Sequence, residues 1–189
     1  MSRNLIITFK GNLLPEPGYK SLGKNCIGGV VQFHNQNKNP LTVSIQSEFT
    51  APQNAEMHAL LKILEFLESN VYQKGDVIFI CFESFELLSQ ISELKILNER
   101  ETEKILSCLE KPLSETKNQI NDPFRLTEYE AIYSEHQFYK IKIKLKQILS
   151  KFQDLEFKLI EPKKNILARN LSSEASGIET TNELELISD

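Results

Sequence analysis

The chain has 189 residues, 40% of them hydrophobic and 25% charged, with 7 Gly and 7 Pro, which suits a single domain able to bury its own core. No apolar run approaches the roughly 20 residues that span a bilayer, and Met1-Ser-Arg-Asn-Leu-Ile-Ile-Thr-Phe-Lys10 has neither the h-region nor the cleavage site of a signal peptide, so a cytoplasmic protein and no membrane partner are expected. With 22 basic and 26 acidic residues the net charge is −4 and the pI about 5.5, which disfavours coating nucleic acid by bulk electrostatics and leaves only a local positive patch for that purpose. Cys26, Cys81 and Cys108 are odd in number and contain no C-x-x-C pair, so they read as reduced thiols without a disulfide framework or structural zinc.

Asn4 to Lys10 is apolar and β-branched and predicts a buried strand ending at a Gly11-Asn12 turn. A loop rich in Pro and Gly follows over 13–24. Cys26 to Phe33 resumes strand character, His34 to Pro40 carries turn residues, and Leu41 to Phe49 alternates with period two, closing a three-stranded antiparallel meander. After Pro52 the period changes: Ala55, Ala59, Leu60, Ile63, Leu64 and Leu67 form one helical stripe about 15 residues long. Val77 to Phe82 is a continuous apolar run of the kind found in strands buried on both faces. Strand, helix, strand in this order implies a crossover onto a mixed sheet.

Residues 84–111 read as helical, with Asn98 and Glu101 as a capping box, and a polar loop runs on to Arg125. Thr127 and Glu130 form a second candidate box, opening a helix that continues through Phe138, Ile141, Leu145, Ile148 and Phe152. The Lys140-Ile-Lys-Ile-Lys-Leu-Lys146 run also alternates like an edge strand, but helix is preferred because the longer 3/4 spacing extends on both sides of it. Its lysines flank the apolar stripe, as snorkelling side chains do. Leu155 to Ile160 alternates as a last strand, and a short helix is expected over 166–175. From Ser172 onward there is no Lys or Arg but five acids, the composition of a solvated tail. The expected domain is therefore 1–175, with a variable helical region over about 92–138, and 176–189 is an acidic, disordered tail.

Four local matches give this element order a family. Ile7-Thr-Phe-Lys-Gly-Asn12 resembles the Tyr-Thr-Asp-Gly-Ser motif of a first strand, and Pro52-Gln-Asn-Ala-Glu-Met-His-Ala-Leu-Leu61 resembles the start of a first helix, Thr-Asn-Asn-x-Ala-Glu-x-x-Ala-Leu. Val77 to Ser84 resembles a fourth strand ending in Asp-Ser, and Phe157 to Leu171 resembles a closing Val-x-x-x-x-Asn-x-x-Ala-Asp-x-Leu-Ala signature. Together they resemble type 1 ribonuclease H over about residues 4–175. The resemblance implies an α/β fold: a mixed five-stranded sheet, three antiparallel strands and then parallel ones, flanked by helices.

Family members cleave the RNA strand of an RNA–DNA hybrid with four carboxylates holding two divalent metals, since Mg²⁺ prefers hard oxygen ligands and two dications repel. The resemblance places those four positions at Lys10, Glu56, Glu83 and Arg169. Only Glu56 matches outright. Glu83 adds a methylene, and Lys10 and Arg169 reverse the charge, so the formal sum of the four is zero rather than that of four carboxylates. A degenerate member is expected, with no catalytic residues, no Mg²⁺ and no other cofactor. The loop Glu161 to Asn165 also lacks the histidine that assists product release in some members.

Binding can outlive catalysis, because a hybrid is recognised largely through phosphates, 2′-hydroxyls and shape. Lys10, Gly11, Asn12, Gln53, Asn54 and Arg169 are the expected nucleic-acid contacts, to RNA–DNA hybrid or structured RNA, with Gly11 letting a backbone approach the substrate. The alternative is a protein-interaction scaffold whose cleft is closed by Lys10–Glu56 and Arg169–Glu83 pairs. A third reading, an active hybrid endonuclease, needs unusual metal ligation, for example by Glu16 and Glu48. Tyr129, Tyr133 and Phe138 with the nearby lysines fit base stacking or core packing equally well. His34, His58 and His136 do not cluster, Cys81 reads as core, and no P-loop, nucleophile elbow or dinucleotide fingerprint is present.

Overall fold

The structure, a computed structural model, describes residues 3–34, 38–96, 100, 102–103 and 123–177. Its elements are β1 (Asn4–Pro15), β2 (Gly23–His34), β3 (Leu41–Thr50), α1 (Ala55–Asn70), β4 (Val77–Phe82), α2 (Phe85–Ile96), α3 (Pro123–Leu149), β5 (Asp154–Leu159) and α4 (Ile166–Ala175). They form one five-stranded sheet in the order β3-β2-β1-β4-β5. β1, β2 and β3 pair antiparallel, whereas β4 pairs parallel with both β1 and β5. This is the mixed sheet expected from the sequence.

Period-two alternation decides which face of β1 is core: Leu5, Ile7 and Phe9 are buried, and the even-numbered residues point the other way. On the core face lie α1, through Ala59, Leu60, Ile63, Leu64 and Leu67, and α3, through Ile141, Leu145 and Ile148. On the opposite face α4 sets Ala168 and Leu171 against Val30 of β2. Adjacent glycines of β2 admit the two helices. A Cβ on Gly29 would lie 2.3 Å from Ile63 Cδ1 of α1, and one on Gly28 would lie 2.0 Å from the Ala168 carbonyl oxygen of α4.

Several boundaries depart from the sequence reading. β1 does not stop at Gly11-Asn12 but continues to Pro15, with Gly11 opposite Ile27 and Asn12 opposite Cys26. A long partner strand satisfies these backbone groups, and that outweighs a local turn preference. The reversal comes later, in the 16–22 loop, where Gly18 has φ +84°. α3 starts at Pro123 rather than at Thr127, with proline in the first-turn position it tolerates. Glu130 is no capping residue. Its buried carboxylate accepts hydrogen bonds from the amides of Lys20 (2.8 Å) and Ser21 (2.9 Å) and from Ser21 Oγ (2.6 Å), fastening the β1–β2 loop to α3.

The 140–146 run is helical throughout. Its lysines divide by burial: Lys140 and Lys144 are exposed, while Lys142 is buried, pairing with Glu93 at 3.4 Å and lying 5.2 Å from the Phe138 ring centroid. The Asn98–Glu101 box and the tail from residue 178 onward lie outside the described residues. No helix among the described residues is long and apolar enough to cross a membrane.

Candidate nucleic-acid interface

β1 and β4 run parallel with Thr8 beside Cys81, which brings Lys10 level with Glu83 just past the end of β4. Two helix starts meet them there. α1 follows a Pro52–Asn54 3-10 turn and carries Glu56 in its first turn, and α4 follows a Pro162–Asn165 turn and carries Arg169. Asn165 ties the arrangement together: its Nδ2 donates to the Phe9 carbonyl oxygen at 2.9 Å and to Glu83 Oε1 at 2.8 Å. Glu83 closes β4, and Ser84 Oγ caps α2 by accepting from the Leu87 amide at 3.0 Å.

The four charged residues form two ion pairs. Lys10 Nζ donates to Glu56 Oε1 at 2.5 Å, with both side chains half-buried. Arg169 meets Glu83 in a fork, Nε to Oε1 at 2.8 Å and Nη2 to Oε2. Glu83 keeps only 9% of its side-chain surface exposed, whereas Arg169 keeps 44%. Hydrogen bonding from Arg169 holds the Glu83 carboxyl below the usual carboxylate range, helped by Asn165 and the charge of Lys10, against the opposing effect of burial. The Arg169 guanidinium is raised in turn by Glu83 and also feels Glu56, so the two pairs form one electrostatic cluster.

Neither family models nor curated proteins match the sequence. Solved structures do. RNase H1 from the halophilic archaeon Halobacterium salinarum is similar with a TM-score of 0.55 at 16% identity, over 91% of this chain and 96% of that one. The N-terminal RNase H domain of rv2228c from Mycobacterium tuberculosis reaches 0.55 at 13% identity, over 92% and 98%. The RNase H domain of PFV reaches 0.56 at 15% identity, over 93% and 94%. The chain has a ribonuclease H-like fold.

Within this ribonuclease H-like domain the remaining predicted contacts take different places. Gly11 accommodates α1 rather than a free approach: a Cβ there would lie 2.7 Å from the Ala55 carbonyl oxygen and 2.9 Å from Ala59 Cβ. Asn12 is half-buried on β1. Gln53 is exposed and donates through Nε2 to Ser134 Oγ at 2.7 Å. Asn54 departs from the expected surface contact, since it is wholly buried and its Nδ2 donates to the Ser134 carbonyl oxygen at 3.0 Å. Both amides fasten α3 to the start of α1.

Tyr129 and Tyr133 stack on each other with centroids 6.1 Å apart. Cys26 and Cys81 are buried thiols, both pushed up by desolvation, and Cys108 lies outside the described residues. Among the described residues no three His, Cys, Asp or Glu side chains gather in a metal-holding group. Asn165 was not predicted as a site residue. The signal available for it was the Asn of the closing signature, three residues before Ala168, but its two acceptors lie on β1 and just past β4, 156 and 82 residues away.

Proposed function

We propose that this ribonuclease H-like domain binds nucleic acid, RNA–DNA hybrid or structured RNA, through its phosphates and does not cleave it. The observation that carries the reading is the forked Arg169–Glu83 pair. A guanidinium has five N–H donors, and two are given to Glu83. Three therefore remain on a side chain that is 44% exposed and already oriented. A guanidinium held this way can take a phosphate oxygen at little further entropic cost. Lys10 lies in the same cluster, and Lys164 is exposed nearby on the turn before α4.

The residues present do not suit a pair of divalent metals. Glu56 and Glu83 each already hold a cation within hydrogen-bond distance, and the ammonium and guanidinium would oppose any dication placed between them. A protein-interaction scaffold is the second reading, favoured by the same pairing because it cancels the charge of the cleft.

Fluorescence anisotropy of a labelled RNA–DNA hybrid, at two salt concentrations and with either Mg²⁺ or a chelator, tests the proposal. The expected result is salt-sensitive binding that ignores the chelator. Arg169→Ala should weaken it for every sequence and reduce the salt slope by about one. Absence of binding at micromolar protein would favour the scaffold, and Mg²⁺-dependent cleavage lost in Glu56→Gln would overturn the non-catalytic assignment.

A further inference from the structure

Beside the Arg169–Glu83 pair the surface turns apolar. Phe85 opens α2 two residues beyond Glu83 and is 74% exposed. Ile166, three residues before Arg169 and so on the same flank of α4, is 48% exposed. Single exposed apolar residues need no explanation, but an exposed aromatic ring two positions beyond the carboxylate that orients a guanidinium does.

We propose that this surface takes a nucleotide whose base is unpaired, with the base face on Phe85 and its phosphate on the outward edge of Arg169. The inference rests on the phosphate-binding role of Arg169 proposed above and names the nucleic acid more narrowly. Within a duplex each base face is covered by its neighbours, so an exposed ring can stack only on a base in a single strand, a loop or a frayed end. Only Ser84 lies between Glu83 and Phe85, so their Cα atoms are at most about 7 Å apart. The proposed nucleotide therefore sets its base on that ring and its phosphate on the guanidinium that Glu83 holds. Ile166 supplies apolar surface on the same flank of α4 as Arg169. Stacking is indifferent to base identity, so the site selects for unpaired structure rather than sequence.

The chain contains no tryptophan, so Phe85→Trp would place a single emitter at the proposed stacking position. The full chain carrying Phe85→Trp is titrated with a twelve-nucleotide oligodeoxyadenylate and with an abasic oligonucleotide of the same length, following emission and the anisotropy of labelled strands together. The expected result is quenching by the strand with bases and none by the abasic strand. In the unsubstituted chain the base-bearing strand should bind about tenfold more tightly than the abasic one. Phe85→Ala should erase that difference, Phe85→Tyr should retain it, and Arg169→Ala should weaken both strands. Equal affinity for the two strands, or unchanged emission at saturation, would overturn base stacking while leaving phosphate binding intact. Absence of binding to either strand, and to hybrid, would overturn both.

Discussion

Glu83 is where the candidate site is most sharply defined. Its carboxylate accepts from Arg169 and Asn165 at once, and each partner arrives from a different turn of the same distant segment. Because its folded pKa lies below the ordinary glutamate value of about 4.3, its contribution to stability is complete above that pH and is lost as the pH falls through the folded value. Urea midpoints should therefore be lower for Glu83→Gln than for the unsubstituted chain at neutral pH, and the gap should narrow as the pH falls below the ordinary glutamate value and vanish below the folded one. Parallel curves across that window would show that the pair adds nothing to folding. The sequence identified all four members of the cluster, and the two ion pairs match those considered for a closed cleft. It misassigned Asn54. An amide ahead of a helix reads as a surface group, and only the arrival of Ser134 from 80 residues away turns it inward.

At the level of elements, α4 decides whether the site exists. It carries Arg169 and begins at Asn165, and it can lie on β2 only because Gly28 has no side chain. Gly28→Ala would place a Cβ 2.0 Å from the Ala168 carbonyl oxygen and 2.4 Å from the Ser172 amide nitrogen, both backbone atoms. The helix would have to shift. The expected cost is about 1–3 kcal/mol, read as a lower thermal midpoint, and hybrid affinity should fall with it because Arg169 moves too. An unchanged midpoint would mean that α4 is less closely seated than its contacts indicate. The tail of β1 and the start of α3 show where local patterns mislead. Gly11-Asn12 resembles a turn and Thr127–Glu130 resembles a capping box, yet β2 pairs with the first and the 16–22 loop captures the carboxylate of the second. Periodicity succeeded where it ran longest: the 3/4 spacing through Ile141, Leu145 and Ile148 marked α3 correctly despite the alternating lysines.

Across the whole molecule, the end of the sheet opposite the site is closed by a second charged device. Arg3 Nε donates to Asp76 Oδ1 at 2.9 Å and Nη2 to Oδ2 at 2.5 Å, while Nη2 also reaches the Val71 carbonyl oxygen at 2.7 Å. Burial pushes the Asp76 carboxyl up, but hydrogen bonds from Arg3 and the Gln73 amide, with the charge of Arg3, hold it below the usual carboxylate range. The pair joins the start of β1 to the loop leading into β4, just ahead of the parallel pairing that begins at Asn4 and Val77. Asp76→Ala leaves a mostly buried guanidinium without its carboxylate, and chemical denaturation should show a loss of about 3–5 kcal/mol. A loss below about 1 kcal/mol, the range of surface pairs, would show that solvent compensates for the missing carboxylate.

Element order, the core stripes and the charges at positions 10, 56, 83 and 169 were readable from the chain alone, because periodicity and residue charge are local properties. Long-range pairing decided the rest. The extension of β1, the inward turn of Asn54, the capture of Glu130 and the seating of α4 on Gly28 each depend on a backbone group or side chain more than ten residues away. Such partners compete with local preference only once the sheet has assembled, and a buried polar group must then take whichever partner the fold brings to it.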